Sequence, residues 1–572
     1  LHATSHIQDR SQQLMIRFMN MNRLLALLLS IIPLSVWAQT QLTLKSFDKW
    51  SNDDLKPGVA IAVIHNEEIT LKKVIGYGNL EYRIPLNNES VFDIASLAKQ
   101  FTGFAVAKLV IEEKLDLNDS VNQYLPELKI LNQGIRIKHL VYHTSGLRDV
   151  GELFGLTNLG DNLTSKEAIQ IIENQKELNF PVGSEYDYSN SNYVLLALIV
   201  EKITGESFRE WCSKYIFQPL QMQSTFVNDN PYEIIKNRAV AYYSDGSTFS
   251  FNQKNGMALI GSSAVYSTID DMLIWLKALQ SETKFSQEFA LMKKKGELDD
   301  GEEIGYGFGL SISTVNNELM IEHSGATPSG FRTQIAIFPN SSLAFVILSN
   351  WGDIEPIDDF GRSIINHYLP ASTLERKTQD SHTNKGTALS PEILARYVGD
   401  YLFNGEMNVK IRQDDKAGLT VQLENQQENS LIALTETEFD LPALQSRLIF
   451  IANEDKGYDR ADVMMGESKE GELVRVKAKE KEKIDLSKYT GKFYSQELGL
   501  LLELEVDNNQ LEFKNTKYGD ILLAVKSEGT FIPQKELASS IIFLLDEFSE
   551  PYGFLLNRGS RMRNLKFLKI IE

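Results

Sequence analysis

The hydrophobic pattern changes period along the chain, and the changes mark its parts. Val59-Ala60-Ile61-Ala62-Val63-Ile64 is continuously apolar, His65-Asn66-Glu67-Glu68 is a polar turn and Ile69-Thr70-Leu71 resumes, which predicts a hairpin of two strands. The stretch FDIASLAKQFTGFAVAKLV, residues 92–110, reads as a buried helix interrupted by Ser96 and Lys99. Residues 193–203, YVLLALIVEKI, predict a second buried helix stopped by Thr204-Gly205, and helical spacing returns from Met272 to Leu279. Near 319 the period shortens. LMIEHSG, TQIAIF and LAFVIL are strand patterns, the last two joined by the turn residues Pro339-Asn340-Ser341-Ser342. Strands at both ends with helices between them predict a domain over 41–372 with one sheet built from its two termini and an inserted helical region.

Residues 373–390, TLERKTQDSHTNKGTALS, are polar and aperiodic and are read as a linker. Beyond them the pattern alternates and repeats: LARYVGDYLF at 394–403 is echoed by LSKYTGKFYS at 486–495. Each copy continues into alternating strands, such as Val409-Lys410-Ile411 and Leu502-Glu503-Leu504-Glu505-Val506. Each also closes on one, Leu473-Val474-Arg475-Val476 and Leu565-Lys566-Phe567-Leu568. Two small antiparallel barrels or curled sheets are expected, over 391–482 and 483–572.

The first 38 residues read as upstream sequence and a signal peptide rather than fold. Met19 to Arg23 is short and weakly basic, LLALLLSIIPLSV has the length of a signal core, and Val36-Trp37-Ala38 fits a cleavage site. Export to the periplasm or the outside is expected, with no stable membrane insertion after cleavage. The alternative is an uncleaved anchor, for which the run is short. A net charge of −19 disfavours nucleic acid and anionic membranes, which need a basic footprint. Cys212 is the single cysteine, so no internal disulfide forms, and its place in a helical pattern beside Trp211 reads as a buried thiol. The 8 histidines show no paired metal spacing, so neither a metal nor another cofactor is expected.

A serine hydroxyl is a weak nucleophile until a neighbouring base takes its proton. On a helix, positions i and i+3 share a face, so Lys99 can reach Ser96. Burial at the positive end of a helix lowers the affinity of an amine for its proton. Spacing alone does not settle the matter: S-x-x-K also occurs at Ser46 and Ser281 among polar residues, and by spacing alone Ser96 reads more readily as a helix cap with an outward Lys99. Tyr188-Ser189-Asn190 lies in a polar loop before a buried helix, and His323-Ser324-Gly325 ends a strand pattern ahead of Ala326.

Ser96-Leu97-Ala98-Lys99, Tyr188-Ser189-Asn190 and His323-Ser324-Gly325, in that order, resemble the three motifs of the serine β-lactamase-related family, the S12-type peptidases and class C β-lactamases. LVYHTSGL at 140–147, IFQPLQMQSTF at 216–226, YGFGL at 306–310 and FPNSSLAFVILSN at 338–350 extend the resemblance over roughly 45–370. It implies an α/β (α+β) fold of the β-lactamase/transpeptidase type, an antiparallel sheet flanked by helices. It also implies roles. Ser96 would be the acylated nucleophile, Lys99 its proton partner, and Tyr188 the general base and later acid. Asn190 would hold Lys99 and the substrate amide, and His323 would bind the polar end of the substrate or assist Tyr188. The amides of Ser96 and Ala326, after Gly325, would form an oxyanion hole.

Three departures bear on specificity. His323 stands where many β-lactamases carry a lysine, which weakens the case for a carboxylate-bearing antibiotic as main substrate. Gly261 to Ser267 is less glycine-rich than in relatives, and Phe180-Pro181-Val182-Gly183 has a shifted proline. His143-Thr144-Ser145-Gly146 reads as a structural turn. The C-terminal repeats resemble modules appended to some relatives, D-aminopeptidases included.

The reading is an exported serine hydrolase cleaving an amide or ester through acyl-Ser96, foremost a peptidase on small D-amino-acid or cell-wall-like peptides. A small-ester hydrolase and a β-lactamase are the alternatives with the same site. The alternative of another class is a non-catalytic protein that binds or senses peptidoglycan fragments.

Overall fold

The computed structural model describes residues 55–369, 389–476 and 484–570, apart from 158–161, 245–247, 252–255, 258, 282–283, 354, 404–406, 414–417, 424–427, 442–445, 453–457, 466–467, 515–518 and 535–537. The expected leader at 1–38 and all but the last two residues of the expected linker at 373–390 lie outside them. The chain forms two compact units, one combining everything up to Pro370 with Leu486–Glu572, the other spanning Ala371–Asp485.

The first unit is built on a six-stranded antiparallel sheet. Val59–His65 lies inside it, between Glu68–Ile75 and Leu343–Ser349, and the sheet continues through Arg332–Phe338 and Glu318–Ala326 to Ser311–Val315. The two termini of the domain therefore share one sheet, as the pattern predicts. Val59 to Ile64 are all buried, because helices cover both faces and the strand has no solvent side. Asn66 and Glu67 adopt positive φ, 52° and 68°, the conformation that a two-residue hairpin turn requires. Ile357, Phe360 and Ile364 of helix Glu355–Tyr368 pack on Val59, Ile61, Phe345 and Ile347.

The predicted helix over 92–110 divides. Phe92-Asp93 is a short strand, Ala95–Ala98 a 3-10 turn, and only Lys99–Ile111 is α-helical. The α-helical part is buried on nearly every side, with the Trp275 ring 4.7 Å from Phe101 and its indole N–H donating to Gln100 Oε1 at 2.9 Å. The second helix runs Asn190–Thr204 and stops at Gly205 in the left-handed region, φ 70°.

The repeats are two closed eight-stranded antiparallel barrels, the first from Gly399–Phe403 to Ser468–Arg475 and the second from Gly491–Ser495 to Met562–Lys569. The repeated tyrosine has the same task in each. Tyr397 packs on Phe439, Phe450 and Tyr458, and Tyr489 on Phe531 and Phe543, so each plugs its own barrel. Among the described residues no helix is long and apolar enough to cross a membrane.

Candidate active site

Ser96 sits on a tight turn rather than on a regular helix. Ala95, just before it, has φ 52°, a left-handed backbone that an alanine adopts only under constraint from its surroundings. The constraints are visible. Asp93 Oδ1 accepts the Ala95 amide at 2.9 Å, and the Ile94 carbonyl accepts the Thr333 hydroxyl at 2.9 Å. Ser96 is part-exposed between buried neighbours, and in a 3-10 turn residues i and i+3 eclipse, which brings Lys99 beneath it.

Lys99 has no exposed surface. Its Nζ donates to Asn190 Oδ1 and to the Ser262 carbonyl, each at 2.8 Å, and lies 3.3 Å from Ser96 Oγ and 4.7 Å from the centroid of the Tyr188 ring. Among the described residues no carboxylate forms an ion pair with it. Burial therefore dominates and pulls its pKa well below the ordinary lysine value, opposed by the charge of Asp149 and aided by that of Arg561. Asn190 is held in turn by Asp149, whose Oδ2 accepts the Asn190 amide at 2.6 Å and Nδ2 at 2.8 Å. The other oxygen of Asp149 caps helix Val150–Leu156. Asp149 is a site residue that the sequence reading missed, although an aspartate ahead of a helical pattern is a capping signal.

Tyr188 is half-buried beside Lys99. Burial raises its pKa well above that of free tyrosine, with the Ser96 hydroxyl and the Arg561 charge acting against the rise, so the phenol keeps its proton. Its ring leans on His143 at 4.5 Å between centroids. His143 Nδ1 accepts the Ser189 amide at 3.2 Å and contacts Asn192 Nδ2 at 3.0 Å, so the H-T-S-G segment supports the tyrosine loop.

His323 is buried near the site, its ring 6.1 Å from that of Tyr188. Nδ1 lies 2.6 Å from the Ser324 carbonyl, which can only accept, so Nδ1 carries the proton and Nε2 accepts the Tyr306 hydroxyl at 3.1 Å. Burial lowers its pKa to about 3, aided by the Lys99 charge and opposed by the Ser324 contact, so the ring is neutral. Both nitrogens are engaged within the protein, a constraint that the sequence does not carry because Tyr306 stands outside the three motifs.

Gly325 follows on the same strand. A Cβ there would stand 2.3 Å from Thr333 Oγ1 and 2.8 Å from the Ile94 carbonyl, so glycine permits the strand to lie against the Ser96 turn, with Ala326 at its exposed end. The structure thus brings Ser96, Lys99, Tyr188, Asn190, His323, Gly325 and Ala326 to one place. It adds Asp149, His143, Tyr306, the Ser262 carbonyl and, from the second barrel, Arg561. Cys212 lies elsewhere, fully buried, its thiol pushed well above the ordinary range.

The sequence profile of the family described as Beta-lactamase matches residues 47–365. Protein flp from Staphylococcus aureus is 29% identical over 355 residues, covering 60% of this chain and 70% of its own. Penicillin-binding protein 4* from Bacillus subtilis is 28% identical over 425 residues, covering 70% of this chain and 91% of its own. Among solved structures, the octameric penicillin-binding protein homologue from Pyrococcus abyssi superposes with a TM-score of 0.51 at 20% identity, over 85% of this chain and 99% of that one, a likeness of fold.

Proposed function

Because the chain belongs to the beta-lactamase family of serine hydrolases, we propose that it is an exported peptidase on small D-amino-acid or cell-wall-like peptides, working through acyl-Ser96. The observation that carries the chemistry is the setting of Lys99. A neutral amine has two N–H donors and one lone pair. With both donors directed at the acceptors Asn190 Oδ1 and Ser262 O, the lone pair faces Ser96 Oγ.

Lys99 then takes the proton as Ser96 Oγ attacks the carbonyl carbon. Tyr188, protonated, gives its proton to the departing nitrogen or oxygen and is reprotonated from Lys99. A water reverses the sequence, giving its proton through the same pair to Ser96 as the acyl group leaves. The Ser96 and Ala326 amides steady the oxyanion in both halves. Asn190 fixes Lys99, and neutral His323 orients Tyr306 against the same aromatic cluster. The relatedness to a penicillin-binding protein supports a cell-wall-like substrate. The apolar run ending at Ala38 supports export, which N-terminal sequencing of the mature protein tests by finding a start at Gln39.

The experiment for the activity is intact-mass and peptide mapping after exposure to a fluorophosphonate. One adduct on Ser96, absent in Ser96→Ala, is expected, followed by turnover in a screen of D-aminoacyl amides, short esters and penicillins. No adduct would sink the hydrolase reading in favour of a protein that binds peptidoglycan fragments.

A further inference from the structure

The turn joining the last two strands of the second barrel, Pro551–Arg558 and Met562–Lys569, enters the cleft beside Tyr188. It is tied down on all sides. The Asp149 amide donates to the Arg561 carbonyl at 3.0 Å, and Ser560 Oγ donates to Asp187 Oδ1 at 2.9 Å. The Arg563 amide donates to Asn179 Oδ1 at 2.8 Å, and its guanidinium pairs with Glu185 at 2.9 Å. Arg558 pairs with Glu152 at 3.0 Å. The two arginines flanking Arg561 thus spend their charge on surface carboxylates.

Arg561 does not. Among the described residues no carboxylate lies within ion-pair distance of its guanidinium, its side chain is exposed, and its guanidinium carbon stands 5.0 Å from the centroid of the Tyr188 ring. Three other basic groups surround the reacting hydroxyls: Lys99, His143 and His323. All three are buried and engaged with protein partners, and none faces solvent. An exposed, unpaired guanidinium on an anchored turn at the mouth of a cleft is a receptor for an anion, and its planar fork matches a carboxylate.

We propose that Arg561, delivered by the second barrel, is the anion anchor of this active site and selects substrates whose leaving group carries a free carboxylate. The side of the substrate follows from Tyr188. Under the hydrolase reading, on which this inference rests, Tyr188 protonates the leaving group, so the group stacked on its ring meets the leaving half of the substrate. A terminal amino acid with a free carboxylate is that half in a peptide. The barrel then supplies the cation that His323, neutral and internally bonded, does not.

The test uses two acetyl esters differing in one group, 3-acetoxybenzoate and 3-acetoxybenzamide, with the full chain and its variants. The expected result is a carboxylate-to-carboxamide ratio in kcat/KM of roughly tenfold, the size of one charge-assisted hydrogen bond. The ratio should fall to about one in Arg561→Ala, be partly kept in Arg561→Lys, and shrink with added salt because the pair is open to solvent. A ratio near one in the parent protein, or the same ratio in Arg561→Ala, overturns the anchor while leaving the hydrolase intact. No Ser96-dependent release from either ester, together with no fluorophosphonate adduct, overturns the hydrolase reading and the anchor with it.

Discussion

Burial without a carboxylate partner keeps Lys99 below its ordinary range, so in the proposed mechanism the base is the neutral amine and acylation is expected to quicken as pH rises through its lowered pKa. Charges near it set where that limb lies. Asp149 favours the ammonium, so Asp149→Asn, which keeps the helix cap, is expected to move the limb of Ser96 acylation to lower pH; Arg561→Ala should move it higher. An unmoved limb in both variants would assign it to another group. Lys99→Met removes the proposed base and is expected to slow acylation by about 10²–10⁴-fold, read by the rate of fluorophosphonate adduct formation.

Asp93 stores a different pH dependence at the same turn. Burial raises its pKa from 3.8 to about 6, against the Ala95 hydrogen bond, Arg238 and Tyr266. The folded protein holds this proton where the unfolded chain has released it, so stability from the neutral acid is fully present below pH 3.8 and lost as pH rises through about 6. Asp93→Asn keeps the acceptor for Ala95 and sheds the penalty. Thermal unfolding at pH 8 should show it more stable by on the order of 2 kcal/mol, with the two proteins converging in acid. A destabilised variant at pH 8 would show that the carboxylate is needed as an ion.

Among the elements, those that bury a continuous face are legible in the sequence, and the turn that carries Ser96 is not. Val59-Ile64 and YVLLALIVEKI announce themselves because burial on all sides demands apolar runs, and Gly205 marks the left-handed stop of its helix. Ala95 is also left-handed, but alanine carries no such signal. Its conformation is imposed by Asp93, Thr333 and the strand lying against it, so the stretch from 92 reads as one helix and folds as three elements. The motif residues were legible by resemblance; Tyr306 and Arg561 were not, since their roles arise from chain folding back across long separations. The close approach of strand and turn makes Gly325→Ala a sharp probe. Its methyl meets Thr333 and the Ile94 carbonyl, so a cost of about 1–3 kcal/mol in unfolding free energy is expected, with a larger proportional loss in Ser96 labelling. Unchanged labelling in a destabilised variant would separate the strand from catalysis.

At the scale of the whole molecule, the second barrel belongs with the hydrolase domain rather than beside it as an independent repeat. Arg148, with no exposed side-chain surface, joins them. Its Nε donates to the Arg563 carbonyl at 3.0 Å, Nη2 to the Asn564 carbonyl at 3.3 Å, and Nη1 pairs with Glu497 at 2.9 Å. Burial lowers its pKa, opposed chiefly by Glu497, which indicates a cation held by its partners rather than by water. Removing one member of such a pair strands the other, typically at about 3–5 kcal/mol. Arg148→Met leaves Glu497 and two carbonyls on the barrel side without their donor, and Asp149, the next residue, holds both Asn190 and the Arg561 carbonyl. The loss should therefore appear twice: calorimetry should show the barrel unfolding at lower temperature than the hydrolase domain, and the ester preference assigned to Arg561 should weaken before any general loss of Ser96 labelling. A single transition with the preference intact would mean that the remaining ties, Arg558 to Glu152 and Arg563 to Glu185, suffice to hold the wall of the cleft.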